Sequence, residues 1–357
     1  MKYLLLVAII VAVTGPRASG AAGGDLPEGT GLAGKYPGDL GLGSDPNVIL
    51  FYDYEAPKSW RKGWQGNMKF YAHTTDKANV FSGSGALEAT LKKGKTGNGG
   101  QYKLKKPELV LFQRVYLKYP EGFDIGKGAK FHGLAGVGAG KPDWWPQGSA
   151  GKRPTGADKI YGIMCLGKRP GSYYYHPHQR GGYGDGGRYG PAFEIGRWHC
   201  FEMMLKVNTV GKKDGAIAFW LDGKLEKHVP GLEWRNTDEL ALNLVLDHTY
   251  FNNGPPKDES LFLDNRVVAR SYIGPMVAAR PKVQKRPEKK PLTEEEAAAK
   301  REAEKKGVAA KAAGKLFQMA RQAERMGQRG VARRLYMQIV EKYPDTEVAE
   351  KAKAKIE

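Results

Sequence analysis

From Val48 onward the apolar residues come in short runs broken by turn residues, and no long stripe of helical period appears before about residue 290. Residues 48–52, 86–91, 109–119, 160–166, 198–208, 216–222, 240–247 and 261–268 each have the length and the β-branched or aromatic content of a strand. Within 112–118 the period is two, so Val115 and Leu117 face one way and Arg114, Tyr116 and Lys118 the other. Phe201, Met203, Leu205 and Val207 alternate in the same way with Glu202, Lys206 and Asn208, which predicts that the four apolar residues lie between two sheets. Asp214-Gly215 and Asp222-Gly223 bracket the 216–221 run as hairpin turn signals. Many strands at turn spacing predict a mainly β, antiparallel sandwich.

The pattern changes near the C-terminus. Residues 280–291 are rich in Pro and Lys with no apolar face, as in a linker. Thr293 followed by Glu294, Glu295 and Glu296 opens a helix with an N-cap and an acidic first turn. Leu316, Met319, Ala320 and Ala323 form one stripe, Gly327 and Gly330 interrupt it, and Ala332, Leu335, Tyr336, Ile339 and Val340 form a second. A third helix is expected over 346–356. With its Ala332-x3-Tyr336 spacing and Lys342-Tyr343-Pro344 exit, this region resembles one tetratricopeptide-like unit. A single unit cannot bury both its faces alone, which leaves room for a protein partner. The expected organisation is a leader over 1–22, a Gly-rich lead-in over 23–47, a β domain over 48–275, a basic linker and helix start over 276–307, and helices over 308–357.

Met1-Lys2-Tyr3, the apolar run 4–13 and the small residues Ala18-Ser19-Gly20 or Gly20-Ala21-Ala22 have the layout of a secretory signal peptide, too short to span a bilayer. No later segment approaches the length of a membrane span. The protein is thus expected to act as a secreted, periplasmic or envelope-associated one. That placement changes the meaning of the formal charge of +19: outside the cytoplasm an acidic polysaccharide, not a nucleic acid, is the expected partner. Cys165 and Cys200 are an even pair in an oxidising compartment, so one disulfide is allowed, while their apolar, strand-like surroundings fit two buried thiols.

The charge is concentrated. Residues 127–188 hold ten Lys and Arg against Asp143, Asp158 and Asp185, interleaved with Trp144, Trp145, Tyr161, Tyr173, Tyr174, Tyr175 and Tyr183. Aromatic faces stack on sugar rings, and cations pair with carboxylate or sulfate. β-Elimination at a uronic acid needs a group to neutralise the carboxylate, a base for the C5 proton and an acid for the departing O4; Lys, Arg, Tyr and His cover these roles without metal or cofactor. Alternation along 173–176 puts Tyr173 and Tyr175 on one face and Tyr174 and His176 on the other. His176 and His178 have the spacing of a metal pair but lack a third ligand nearby.

Gly196-Arg197-Trp198, the turn from Asn208-Thr209 to Asp214-Gly215, Trp220-Leu221-Asp222-Gly223 and the closing Tyr272-Ile273-Gly274-Pro275 resemble the concanavalin-like β-jelly-roll proteins. Within that class, Gly122-Phe123-Asp124 followed by Gly128-Ala129-Lys130-Phe131-His132-Gly133-Leu134 resembles the alginate and glucuronan lyases of the family-14 type. The resemblance implies a jelly roll over 48–275 and catalytic roles for Lys130, Tyr173 and Tyr175. It also implies a Ser-x-Arg pair on the preceding cleft strand, which falls near Gly162 and Met164, and neither residue can serve. Arg114, Arg169 and Arg180 stand as alternative cations, and Tyr116, Trp145 and His176 complete the expected substrate-binding set.

Three functions follow in order. The first is a polysaccharide lyase acting on an acidic glycan, with Lys130 either as base, its pKa lowered by Lys127 and Arg180, or as the charged partner of the carboxylate beside a tyrosinate base. The second is a non-catalytic carbohydrate-binding module on the same fold. The third, a glycoside hydrolase, needs two cleft carboxylates; no Glu-x-Asp-x-x-Glu pattern is present, and Glu202 alone does not suffice.

Overall fold

The computed structural model describes residues 26–124, 128–149, 151–278 and 293–357, which divide into two units, one up to residue 278 and one from residue 293. In chain order the strands of the first unit are β1 (Val48–Tyr52), β2 (Trp64–Asn67), β3 (Tyr71–Thr74), β4 (Ala86–Leu91), β5 (Gly97–Glu108), β6 (Val110–Lys118), β7 (Ala129–Val137), β8 (Lys159–Leu166), β9 (Gly171–Tyr175), β10 (Asp185–Arg188), β11 (Trp198–Lys206), β12 (Gly215–Leu221), β13 (Lys224–Leu232), β14 (Leu242–Tyr250) and β15 (Glu259–Ala269), with a short helix α1 (Trp145–Gly148) between β7 and β8. One sheet has the order β13-β12-β11-β6-β15-β4-β3, with β1 also on β15; the other has the order β10-β9-β8-β7-β14-β5-β2. All pairings are antiparallel. This is the expected β-sandwich.

The period-two patterns fill the space between the sheets. Phe201, Met203, Leu205 and Val207 pack there with Val115 and Leu117 from one sheet and with Phe131, Leu134, Ile160 and Met164 from the other. Each such side chain contributes roughly 1.5–3 kcal/mol on leaving water. Asp222 (φ 52) and Gly223 (φ 83) both take positive φ in the two-residue β12–β13 turn, the backbone that Asp-Gly favours there. Among the strands that local patterning left out, β5 and β7 are the most consequential, because glycines interrupt the alternation in both.

The Gly-rich lead-in is folded from residue 26 on. Leu32, Ala33 and Leu42 are buried on the outer face of the first sheet against Phe112, Met204, Trp220 and Tyr272. Leu32 and Ala33 donate their N–H groups to the carbonyls of Tyr272 (3.0 Å) and Ile273 (2.8 Å), and Trp220 Nε1 donates to the Pro27 carbonyl at 2.8 Å. Among the described residues that outer face is therefore covered over β6, β11, β12 and β15, which matters for the cleft: the open face for a ligand is that of the second sheet. Cys200 points out from the first sheet and Cys165 from the second, with the whole core between them, and both are free thiols.

The second unit is helical: α2 (Glu294–Arg325), α3 (Arg329–Lys342) and α4 (Glu347–Lys353). Thr293 and Glu296 form a reciprocal capping box at the start of α2. Ala313, Ala320, Ala323, Ala332, Tyr336, Ile339, Ala349 and Ala352 make the core. Met319 is 55% exposed, so the packed stripe of α2 runs through Phe317 and Ala320 instead. Residues 1–22 and the whole 280–291 linker lie outside the described residues, and no described helix is long and apolar enough to cross a membrane.

Candidate active site

The outward face of the second sheet carries the chemistry. Its registers align three rows of side chains. One row runs Tyr250 (β14), Lys130 (β7), Cys165 (β8), Gly171 (β9) and Arg188 (β10); the next runs Leu246, Gly133, Ile163 and Tyr173; the third runs Leu244, Ala135, Tyr161 and Tyr175. Lys130 reaches this face because Gly128, at φ 95, lets the chain enter β7 where a Cβ would lie 2.2 Å from the Leu166 carbonyl and 2.7 Å from an Arg188 Nη. A bulge then follows: between Lys130 and Gly133 two residues, Phe131 and His132, stand opposite one residue of β8, and both turn inward.

The Lys130 ammonium lies 5.3 Å from the ring centroid of Tyr250 and 5.8 Å from that of Tyr173. Tyr173 and Tyr175 share a hydrogen bond between their hydroxyls at 2.8 Å, and the N–H of Gly184 donates to Tyr173 Oη at 3.2 Å. Tyr161 packs edge-on against both rings. A depression of about 540 Å³ opens here, lined by Lys130, Tyr173, Tyr183, Arg188, Tyr250 and Asn252. Arg188 Nη1 donates to the carbonyls of Leu166 (3.1 Å) and Arg169 (3.2 Å) at its edge.

Burial pushes the Lys130 pKa below the ordinary lysine value, with Cys165 acting weakly the other way. The sequence had suggested Lys127 and Arg180 as the cause. Lys127 lies outside the described residues, and the Arg180 side chain is 91% exposed beside Asp185, so desolvation takes that role. Burial, and then the hydrogen bond with Tyr173, push the Tyr175 phenol up, so it stays protonated at neutral pH. The proton inventory of the cleft is a lysine eased toward the amine beside a phenol held as an acid.

At the other end of the sheet, Trp145 on α1 is half-buried, donating from Nε1 to Asp158 at 3.2 Å. Lys141, Lys152 and Lys159 surround its ring at 4.9, 5.1 and 5.9 Å. Lys159 is fully buried, donates to the Ser149 carbonyl at 3.1 Å and lies 4.8 Å from the Tyr175 ring. Trp144 beside it is exposed.

Several expected binding residues lie elsewhere. Arg114 and Tyr116 are on β6 of the first sheet, facing away from the core. Arg114 is buried in a pair with Asp39 and donates to the Gly274 carbonyl at 3.0 Å, while Tyr116 stacks on Phe81 at 3.7 Å. Asp39 of the lead-in covers Arg114, while Phe81 and the Met276 N–H, which donates to Tyr116 Oη at 2.7 Å, cover Tyr116, so neither lines a cleft. His176 is on the inward face of β9, stacked on Tyr174 and bonded to Asp185 at 2.9 Å. His178 bonds instead to Glu233 at 3.0 Å, so the two histidines do not converge. Arg169 sits in the β8–β9 turn and donates to the Gly190 carbonyl at 2.7 Å. Glu202 is buried under the lead-in side, accepting from the N–H groups of Ile273 and Gly274 at 2.8 Å each. Gly162 and Met164 face the core, the latter fully buried there; the cleft-facing positions of β8 beside them are Tyr161, Ile163 and Cys165, none of them a cation, and the cleft-side cation of this strand is Lys159 at its start, beside Trp145 and Tyr175.

Tyr250, His248, Lys159 and Arg188 are the site residues that sequence reasoning missed. Tyr250 and His248 continue the alternation of Leu244 and Leu246 past the point where the apolar run stops, and that continuation was the available signal.

No family model matches the sequence, and no curated protein matches it either. Among solved structures, a double mutant of alginate lyase Aly36B in complex with an alginate trisaccharide superposes with a TM-score of 0.51 at 17% identity, over 63% of this chain and 98% of that one. Alginate lyase vAL-1 from Chlorella virus superposes with a TM-score of 0.51 at 20% identity, over 63% of this chain and 100% of that one. The sandwich has the jelly-roll fold of these lyases.

Proposed function

We propose that the protein is a polysaccharide lyase that cleaves an acidic, uronate-containing polymer by β-elimination on the outward face of the second sheet. The observation that carries this reading is the Lys130 ammonium near both the Tyr173 and Tyr250 rings, in the row of the sheet next to Tyr173, whose hydroxyl is paired with that of Tyr175. In this reading the Lys130 amine takes the C5 proton, the C5–C4 double bond forms as the C4–O4 bond breaks, and a phenol of the Tyr173–Tyr175 pair gives its proton to O4. Arg188, lining the same depression, supplies positive charge for the carboxylate. The Trp144–Trp145 loop with Lys141 and Lys152 holds a more distant sugar of the chain. Export under the 1–22 leader, and a tetratricopeptide-like role for the helices, belong to the same reading.

A second reading, a non-catalytic carbohydrate-binding module, is favoured by one observation: the cleft-facing positions of β8 beside Lys130, Ile163 and Cys165, carry no cation, and Lys159 of that strand lies at its other end by Trp145. The test is ultraviolet absorbance of the unsaturated product across alginate, polyglucuronate, pectin and glycosaminoglycans, with Lys130→Ala alongside. Product from one of these polymers, lost in Lys130→Ala at an unchanged melting temperature, supports the lyase. Binding without product from any polymer selects the module.

A further inference from the structure

His248 is 5% exposed, and neither ring nitrogen has a hydrogen-bond partner among the described residues. A buried imidazole in that condition is costly, and in a native fold it calls for an explanation. Its direction is settled by the strand. Leu244, Leu246 and Tyr250 of β14 face the cleft, so His248 does as well. Its two neighbours are clamped inward. Asp247 takes the Arg266 guanidinium at 2.5 Å and the Tyr71 hydroxyl, and Thr249 Oγ1 accepts from Asn98 at 3.0 Å. With both flanking residues fixed, the imidazole cannot turn inward to find a partner.

The adjoining strands supply none from the cleft side. On β5 the residue opposite is Gly99, whose missing Cβ would sit 3.4 Å from Nδ1. On β7 the residues alongside are Phe131 and His132, both turned inward by the bulge. The cleft charge that acts on it is Lys130. Burial first, and then the charges of Lys130 and Arg266, push the His248 pKa down to about 3, so the ring is neutral, with one nitrogen donating and one accepting.

A neutral imidazole complements a hydroxyl, which also gives one hydrogen bond and takes another; a carboxylate only accepts. We propose that His248 is a substrate-contacting residue that pairs with a ring hydroxyl of the acidic sugar bound over Lys130, fixing the sugar's orientation. This rests on the reading of the cleft as a uronate site.

The experiment uses the full chain with alginate and polyglucuronate oligosaccharides. Three readouts are taken: kcat/KM from unsaturated product, affinity by calorimetry, and the ¹⁵N shifts of the wild-type imidazole during titration. His248→Leu is expected to lose about tenfold or more in kcat/KM with the melting temperature held or raised, because an unpaired polar group has been removed. His248→Asn, which keeps one donor and one acceptor, is expected to recover part of the loss, and the imidazole ¹⁵N signals are expected to move on saturation. If Lys130→Ala abolishes turnover while His248→Leu binds and reacts as wild type, or if the ¹⁵N signals stay fixed as the sugar saturates, the assignment of His248 is overturned and the lyase reading stands. If neither oligosaccharide binds wild type, the uronate site itself falls, and His248 with it.

Discussion

At the level of single residues, the cleft separates proton roles by environment. Lys130 is half-buried and eased toward its amine, while Tyr175 is held protonated by burial and by Tyr173. Tyr175→Phe is expected to remove the hydroxyl pair and lower kcat by a hundredfold or so at an unchanged melting temperature, as measured by product absorbance and thermal denaturation. The rate of the wild type should rise with pH as Lys130 loses its proton, with the rise centred below the ordinary lysine value of 10.5. A flat profile would remove lysine as the base. Glu202 gives a separate test. Burial raises it from an ordinary 4.5 to about 7, so the folded state holds a proton that the unfolded state has released. Its contribution is present in full below 4.5 and is lost as pH rises through about 7, at up to about 1.4 kcal/mol per pH unit in that window. Urea midpoints across pH 4.5–7 should therefore fall less steeply in Glu202→Gln than in wild type.

Among the elements, β14 and β15 do the most to hold the cleft floor. Arg266 of β15 lies between the sheets, 4.5 Å from the Trp64 ring, and donates to Asp247 and to the Leu246 carbonyl (2.9 Å) of β14. His132 is beside the same carboxylate, its Nδ1 3.4 Å from Asp247, and burial keeps it neutral. Removing one member of a buried pair strands the other charge. Arg266→Leu is therefore expected to cost about 3–5 kcal/mol in chemical denaturation, and pairing it with Asp247→Leu is expected to return a large part of that loss. Additive losses in the double variant would show that the pair is not coupled. The alternation of β6, β11 and β12 could be read along the chain, because one face of each meets the core. The alternation of β7 could not, since glycines and the bulge at Phe131 and His132 hide it.

For the whole molecule, the helices from residue 293 on form a core of their own, and no candidate catalytic group lies in them. The sandwich, in contrast, uses its last residues: the Met276 N–H donates to Tyr116 Oη at 2.7 Å, and the Val277 carbonyl accepts from Gly38 at 2.7 Å. A chain ended after residue 278 is expected to keep its melting transition and its turnover of soluble polymer. An earlier end that removes Met276 and Val277 is expected to lower the melting temperature. Loss of turnover in the longer truncation would make the helices part of the working enzyme.

Local patterning was enough for the mainly β architecture, the inward faces of β6 and β11, the Asp-Gly hairpin and the helical C-terminal unit, because each depends on period and turn chemistry within a few residues. It also placed Tyr173 and Tyr175 on one face of their strand. Which of the many cations and aromatics share a cleft was decided only by tertiary structure. Arg114 and Tyr116 have the residue types of a binding face, yet a lead-in with little apolar periodicity folds over Arg114 through Asp39, and Phe81 with Met276 closes over Tyr116. Tyr250 and Arg188 lie 120 and 58 positions from Lys130 in the chain and reach it through strand register alone. Pairing between distant strands leaves no mark in the sequence near either partner, so the site could be assembled only once the sheet was.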